Sequence, residues 1–458
     1  MPITQTHPDY DRYLPKWEQM RHCISGDVIY YPHRYLPSPF LDDNEDRYQK
    51  YCMRARYYNF TGRTATLLHG LIFRNEPAMQ LPTGLEYLKH NVDGNQTTLE
   101  QQAKMVGREL IGPSRCGLLV DYPEVKENIT NEQKQRQGIA ARIQVYTTEN
   151  IINWKITPRG STELVVLREE VDDTVSDIYS HNTEYQYREL RMIEGVYHQR
   201  LVDNTGEQVT EYYPVLDGFR QTFDYIPFYP LGVTDNDLKP DEPALYPLSV
   251  INIGHYRNSA DYEEMASKMG QGSMHISGYI GESDTVYLGT AEAIQTETGG
   301  KVEIVQLSDN TFLERAMERK EQQAIQIGAR LVFKDGSREA VGVEQIKASG
   351  ENSVLANISG NITVAYEGAL RDCARFERLP DSAIEEIQFD VNKEFLSIPM
   401  TLESYKVLQG LMMDQILTKE TVLQEVKRRG IAEGVDIDEE LTAASENMGS
   451  MFVNEPRS

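Results

Sequence analysis

Cysteine is scarce in this sequence, and its four occurrences are scattered at Cys23, Cys52, Cys116 and Cys373. None belongs to a CxxC pair or lies at a spacing typical of Cys/His metal ligands, which argues against a zinc ribbon and a disulfide framework. His22 beside Cys23 is half of a metal site at most, because no second pair accompanies it. The sequence therefore predicts reduced structural thiols and no bound metal.

Long apolar runs are also missing. No stretch of eighteen apolar residues occurs, so no membrane-spanning helix is predicted. The N-terminal sequence MPITQTHPDYDRYLPKW has neither a charged n-region nor an apolar h-region, so secretion is not predicted. We expect a protein of the producing cell's cytoplasm. Its 458 residues are 40% hydrophobic, enough for about two to four subdomains.

Acidic residues outnumber basic residues in this chain. The chain has 46 Lys and Arg against 71 Asp and Glu, a formal net charge of −25. This balance disfavours a protein that holds nucleic acid by neutralising its phosphates. It does not exclude DNA as a neighbour, because DNA slides more easily past a surface that attracts it weakly or repels it.

Three segments match known catalytic or nucleotide-binding motifs only in part. GPSRCG at 112–117 has the wrong spacing for a nucleophile elbow. GQGSMH at 270–275 lacks the third glycine of a dinucleotide fingerprint, and GGKV at 299–302 lacks most of a P-loop. Carboxylate pairs such as Asp42 and Asp43 are expected in an acidic protein. We therefore predict no enzyme and no cofactor, which leaves structural and assembly proteins.

Two helical segments, 245–270 and 308–333, bracket a short glycine-punctuated β-like stretch and are the most informative feature present. The second has an apolar seam with spacings of three, four and seven, between charged positions. The seam residues are Leu313, Met317, Ala324, Ile327 and Leu331. Ser308 is the predicted N-cap. The order predicts a helical hairpin with a small β cap, packed either on its own domain or against other copies.

The remaining patterns predict an α+β fold. Residues 1–120 are expected to be mainly helical, with a long helix at 42–71 and a shorter one at 99–110. From Cys116 the sequence alternates as strands do, and Asn204-Thr205-Gly206 is a predicted hairpin turn. This β region is rich in tyrosine, which is typical of a core face or of a subunit contact.

The C-terminal part begins with a glycine-rich loop at 334–353, long enough to be functional. A helix follows at 354–376, with one apolar side. That side carries Leu355, Ile358, Ile362, Ala365, Ala369 and Leu370. Residues 384–395 are predicted as a strand, and 401–409 and 418–429 as short helices before a polar tail.

A series of short segments resembles the portal proteins of tailed bacteriophages, most closely a DUF4055-like branch formerly catalogued as a domain of unknown function. The segments are HPDYDRYLPKW (7–17), YLP (35–37), YCMRARYYNFTGRTATLLHGLIFRNEP (51–77), GLLVDYP (117–123), IINW (151–154), IPFYPLG (226–232), LYPLSVINIGHYRNSADYEE (245–264) and MERKEQQAIQIGARLV (317–332). Each is weakly specific, and their order over residues 7–376 carries the resemblance.

The resemblance implies a portal fold with a mainly helical stem and crown and a β-rich wing, assembled as a ring that is typically dodecameric. Such a ring forms the channel for double-stranded DNA packaging and ejection at one capsid vertex. The implied parts are the wing (1–244), first stem helix (245–270), clip (271–307), second stem helix (308–333), tunnel loop (334–353), long helix and wing return (354–400), and crown helices with a polar tail (401–458).

The same resemblance implies a location in the virion, with the host cytoplasm as the place of assembly. The implied partners are the terminase large subunit, the major capsid protein and scaffold, and a head–tail adaptor. The apolar seam is then expected to be buried between neighbouring copies. Lys334, Arg338 and Lys347 in the tunnel loop are hypothesised to contact DNA phosphates transiently, unless they pair with acidic residues of the same loop.

Two alternatives stay open on the sequence. One is another phage head–tail structural protein, such as an adaptor or a minor capsid component. The other is an enzyme whose site in the β-rich region carries no recognisable motif.

Overall fold

The computed structural model describes residues 3–41, 44–122, 139–172, 183–269, 273–279, 296–305, 311–332, 354–393, 395, 410, 412, 418 and 422. The chain forms two units, Met1–Ser337 with Asn352–Lys393 and Arg338–Glu351 with Glu394–Ser458. All helices and strands named below belong to the first unit. In the second, the Val422 amide donates to the Thr418 carbonyl, one helical turn within the predicted helix at 418–429.

The helices are α1 (Pro8–Ser25), α2 (Pro32–Tyr35), α3 (Glu45–Arg54), α4 (Phe60–Ile72), α5 (Leu99–Ile111), α6 (Tyr246–Met269), α7 (Phe312–Val332), α8 (Val354–Phe376) and α9 (Asp381–Glu385). Side-chain caps explain several of the starts. The Asn44 side chain accepts from the Arg47 amide at the start of α3, and Thr98 and Gln101 form a capping box at the start of α5. None of the helices in the described ranges is long and apolar enough to cross a bilayer.

The strands are β1 (Ala78–Gln80), β2 (Arg115–Asp121), β3 (Arg142–Thr147), β4 (Ile151–Ile156), β5 (Thr162–Asp172), β6 (Thr183–Ile193), β7 (Val196–Asp203), β8 (Tyr213–Pro214), β9 (Phe228–Gly232), β10 (Ser273–Tyr279), β11 (Thr296–Val305) and β12 (Gln388–Asp390). β4 to β8 form a five-stranded antiparallel meander, and β3-β2-β9 form a three-stranded sheet. The pairs β1-β12 and β10-β11 are separate two-stranded sheets. The mixed α+β prediction is confirmed.

The prediction of one long helix at 42–71 is wrong. Helix α3 ends before Ala55, whose backbone is extended (φ −55°, ψ 139°), and α4 starts after Asn59. Hydrogen bonds from α6 replace those that a continuous helix would make. The Ser259 hydroxyl accepts from the Arg56 amide and donates to the Arg56 carbonyl. Because α6 satisfies these backbone groups, the chain changes direction here without leaving them unpaired.

Most of the predicted strands are present, but the hairpin details differ. Glu194 and Gly195 both have positive φ, +52° and +82°, and form the tight turn between β6 and β7 that the sequence analysis did not predict. The predicted turn at Asn204-Thr205-Gly206 exists, with Gly206 at φ +90°. The run after it is wrong as one full strand. Tyr213–Pro214 pairs with β7, and Gln208 forms an isolated bridge to Val202 of β7. Pro214 has no amide to donate within this pairing.

Helix α8 lies at the centre of the core of the first unit, in contact with β2, β9, β12 and α5. All six apolar residues predicted on its one side are at most 2% exposed. The predicted strand at 384–395 is mostly wrong, because only Gln388–Asp390 pairs, with β1, and α9 precedes it. Among the β-region tyrosines, Tyr197 is buried whereas Tyr185 is 41% exposed, so the sheet supplies both core and surface.

Candidate assembly site: the paired long helices

Helices α6 and α7 run antiparallel and contact each other, joined through the antiparallel pair β10-β11. The antiparallel direction follows from two points of contact, Gly254 beside Lys320 near the middle and Ser273 opposite Val305 in the β pair. At about 1.5 Å per residue, 24 and 21 residues give helices of about 36 and 32 Å. The predicted order of helix, β segment and helix is confirmed. Ser308, the predicted cap, lies outside the described residues.

The apolar seam of α7 is partly covered within the chain. Ala324 is buried, and Leu313, Met317 and Ile327 are half-buried. Leu331 belongs to α7, but its side chain lies outside the described part. The structure thus places four of the five seam residues on the covered side of the helix, and their role between copies stays a prediction.

Lys320 fills the gap in the seam between Met317 and Ala324. A Cβ atom at Gly254 of α6 would lie 3.1 Å from Lys320 Cε, so the aliphatic part of the lysine rests on the glycine. Burial lowers the pKa of Lys320, and the charge of Arg319 lowers it further. The apolar pattern of the sequence does not indicate this contact, because lysine is a charged residue.

His255 marks the junction of α4, α6 and α7. Its side chain is 8% exposed, its Nε2 lies 3.5 Å from a Glu321 carboxylate oxygen of α7, and its ring meets Phe60 edge to face at 5.0 Å. Burial lowers the pKa of His255, and Glu321 opposes that shift. The helix pair is therefore joined to the N-terminal helices by a mixed polar and aromatic contact.

Asn252 is the centre of the attachment of α6 to the N-terminal helices. Its Oδ1 accepts from the Thr61 amide and hydroxyl, each at 3.0 Å, and from the Tyr57 hydroxyl at 3.1 Å. Its Nδ2 donates to the Tyr58 carbonyl at 2.8 Å. The side chain is fully buried, so these bonds fix the position of α6 against the start of α4.

Further pairs continue this attachment along α6. The Tyr51 hydroxyl donates to Asp261 at 2.7 Å, and Arg54 forms an ion pair with Glu264. Apolar packing accompanies them, with Ile253, Tyr256 and Ala260 of α6 in one cluster with residues of α1 and α3. The sequence blocks 51–77 and 245–264 thus contact each other directly. The signal in the sequence was the helical spacing of Ser249, Asn252 and Ser259, which lie on one face of α6 and are buried in the structure.

The β10-β11 pair occupies the predicted clip region. Its exposed apolar residues include Val302 at 44% and Tyr279 at 37%. Within the described residues it pairs with no further strand, and two strands alone are only marginally stable in water. Pairing of this segment across subunits stays a prediction.

The predicted DNA contacts Lys334, Arg338 and Lys347 all lie outside the described residues. In the described part of the chain, no group of three or more His, Cys, Asp and Glu is placed to hold a metal ion. All four cysteines are free thiols. Burial raises the pKa of the Cys23 thiol to about 11, which makes it unreactive at neutral pH.

Comparisons with known proteins connect this site to one family model. Residues 244–377, which contain both long helices, the β pair and α8, match the model described as "Domain of unknown function (DUF4055)". No curated protein matches the chain.

Similar solved structures come from gene transfer agent (GTA) particles. A chain in "Neck of native GTA particle computed with C12 symmetry" aligns with a TM-score of 0.40 and 9% identity, over 83% of this chain and 93% of that one. A chain in "Virion of native gene transfer agent (GTA) particle" gives 0.39 and 10%, over 85% and 94%. One in "Neck of empty GTA particle computed with C6 symmetry" gives 0.39 and 11%, over 85% and 94%.

Proposed function

We propose that this chain is a structural protein of a tailed-phage particle, and more specifically its portal protein. In this role, copies of the chain form a ring at one capsid vertex through which double-stranded DNA is packaged and later ejected. The observation that carries the proposal is the antiparallel pair α6 and α7, closed by β10-β11 and attached through Asn252 to the N-terminal helices. The two attached blocks are among the segments that resemble portal proteins.

The parts of the portal are proposed from the resemblance of the sequence to portal proteins. Residues 1–244 are the wing, α6 and α7 the stem, and 271–307 the clip. Residues 334–353 are the tunnel loop, and 401–458 form the crown with its polar tail. The chain supplies no catalysis in this role, and a separate terminase ATPase drives packaging by docking on the clip.

Lys334, Arg338 and Lys347 are proposed to make transient contacts with DNA phosphates in the tunnel loop. Replacing all three with glutamine should leave ring assembly intact and impair the packaging or retention of DNA. Normal packaging and retention by a particle with the triple variant would remove this assignment.

Mass measurement of the purified chain tests the ring. Light scattering after size-exclusion chromatography should give a closed assembly of many copies, about 630 kDa for twelve copies of a 52.4 kDa chain. Negative-stain images should show a central hole. A monomer under all conditions, including those of capsid assembly, would contradict the portal function. A small open oligomer would favour an adaptor or minor capsid component.

A further inference from the structure

Like charges lie next to each other on α7. Glu314 and Glu318 are four residues apart, and so are Arg315 and Arg319. Among these four residues, Arg315 and Glu318 are the one pair of opposite charge at a neighbouring spacing. At about 100° of rotation per residue, the two glutamates lie on one side of the apolar seam and the two arginines lie on the other. The helix therefore has an acidic flank (Glu314, Glu318) and a basic flank (Arg315, Arg319).

Four other helices of this chain carry pairs of opposite charge at the same spacing. Four ion pairs join an acidic residue to a basic residue four positions later. They are Asp46–Lys50, Glu100–Lys104, Glu264–Lys268 and Glu367–Arg371. Like charges four residues apart also occur on these helices, as at Lys104 and Arg108. Helix α7 differs because none of its acidic residues lies four positions from a basic one.

The four flank residues are exposed and have no ion-pair partner among the residues that the structure describes. Like charges one turn apart destabilise an isolated helix. Ile325 lies on the acidic side, one turn beyond Glu321, and is 69% exposed. Exposed charges without partners in their own chain are available to complementary charges on another protein.

We propose that the acidic flank of α7 in one copy of this chain binds the basic flank of α7 in the next copy. The binding partner is a second copy of the chain, because the acidic flank and the basic flank complement each other in charge. Each copy then offers one flank to each neighbour, which is the head-to-tail contact that closes a cyclic ring. The inference rests on the proposed ring function and identifies the residues that join its subunits.

Charge reversal on one flank at a time tests this contact. The double variant Arg315→Glu with Arg319→Glu has two acidic flanks, and Glu314→Arg with Glu318→Arg has two basic flanks. Each alone should lose assembly, with at least a tenfold lower fraction of large oligomers at equal concentration, because like charges then meet at every contact. Wild-type assembly should also weaken as salt concentration rises.

Two rescues separate loss of the contact from loss of folding. A mixture of the two double variants should assemble, with the variants alternating, and native mass spectrometry should find equal numbers of each. The quadruple variant, with both flanks reversed, should assemble alone. Exchange of the pair Asp46 and Lys50, Asp46→Lys with Lys50→Asp, is the control and should leave assembly unchanged.

Three outcomes would overturn the proposal. One is wild-type assembly by both double variants. Another is failure of both the mixture and the quadruple variant while their far-UV circular dichroism matches the wild type. The third is a wild-type protein whose largest assembly is a two-fold symmetric dimer. If the wild-type chain itself does not assemble, the ring function fails along with this contact, whereas normal wild-type rings with insensitive variants reject the flank contact alone.

Discussion

Asn252 makes four hydrogen bonds from a fully buried position, to Tyr57, Tyr58 and twice to Thr61. Replacement by leucine keeps the approximate volume but leaves the buried amide and hydroxyl of Thr61 without their acceptor. Each such group costs about 1–3 kcal/mol. We expect Asn252→Leu to lower the free energy of unfolding by about 3 kcal/mol or more, measured by urea denaturation.

Gln49→Ala is the matched control for this substitution. Gln49 is an exposed amide on α3 whose only described hydrogen bond is a long one, 3.4 Å, to Glu45. Its loss should change the free energy of unfolding by less than about 0.5 kcal/mol. Equal effects of the two substitutions would contradict the role given to Asn252.

Asp372 is a buried carboxyl on α8 that accepts hydrogen bonds from the Tyr225 and Tyr229 hydroxyls. Burial raises the pKa of Asp372, although the two tyrosines and Arg375 oppose the shift. A raised folded-state pKa favours the protonated form, so its stabilising contribution is present below the unfolded value of 3.8 and is lost as pH rises through the folded value.

The pH prediction concerns the difference between the wild type and Asp372→Asn, which cannot titrate at this position. The stability of the wild type relative to the variant should fall as pH increases from about 3.5 to 7. Urea denaturation at several pH values measures it. A difference between the wild type and Asp372→Asn that does not change over this pH range would contradict the predicted direction.

Sequence patterns predicted the burial of apolar residues better than the burial of polar ones. The six apolar positions of α8 were predicted because helical periodicity alone determines which side is buried. Asn252 and Lys320 were not, because a polar residue faces the core only when a distant segment supplies its partner. For Asn252 that partner is the backbone of residues 58 and 61, about 190 positions away.

At the scale of elements, α8 packs closely on strand β9. A Cβ atom at Gly368 would lie only 2.4 Å from Tyr229 Cε1, whose side chain is held by Asp372. We expect Gly368→Ala to lower the free energy of unfolding by about 1–3 kcal/mol, because the overpacking outweighs the gain in helix propensity. Thermal or urea denaturation measures the change.

The same helix provides the control. At Gly360 no atom lies within 4 Å of an added Cβ. Gly360→Ala should therefore raise stability by about 0.5–1 kcal/mol through helix propensity. If both substitutions stabilise the protein, α8 and β9 are not packed as described.

Elements were predictable where their signal is local. The helix, β segment and helix of 246–332 were found because periodicity and glycine content are properties of short windows. The break between α3 and α4 was not, because its periodicity continues and the hydrogen bonds that replace the helix come from Ser259 and Asn252. The same limit applies to the turn at Glu194, a non-glycine residue at positive φ.

At the scale of the whole molecule, the sequence shows directly which residue patterns are missing. The absence of metal-ligand spacing and of apolar runs follows directly from the residues. The proposed contact between copies does not, because a sequence gives the two charged flanks of α7 but not which surfaces remain uncovered after folding. The structure supplies that information, since the seam faces α6 while the flanks stay exposed.

The net charge of −25 leads to a prediction about DNA. A surface with 71 acidic and 46 basic residues releases few counterions from DNA, so it cannot gain much affinity from them. We expect the purified assembly to bind duplex DNA no more tightly than about 10⁻⁴ M at physiological salt. Fluorescence anisotropy with a labelled duplex measures this affinity. Micromolar binding that weakens steeply with salt would indicate a protein that grips DNA, whereas a channel wall must release it at every step of its passage.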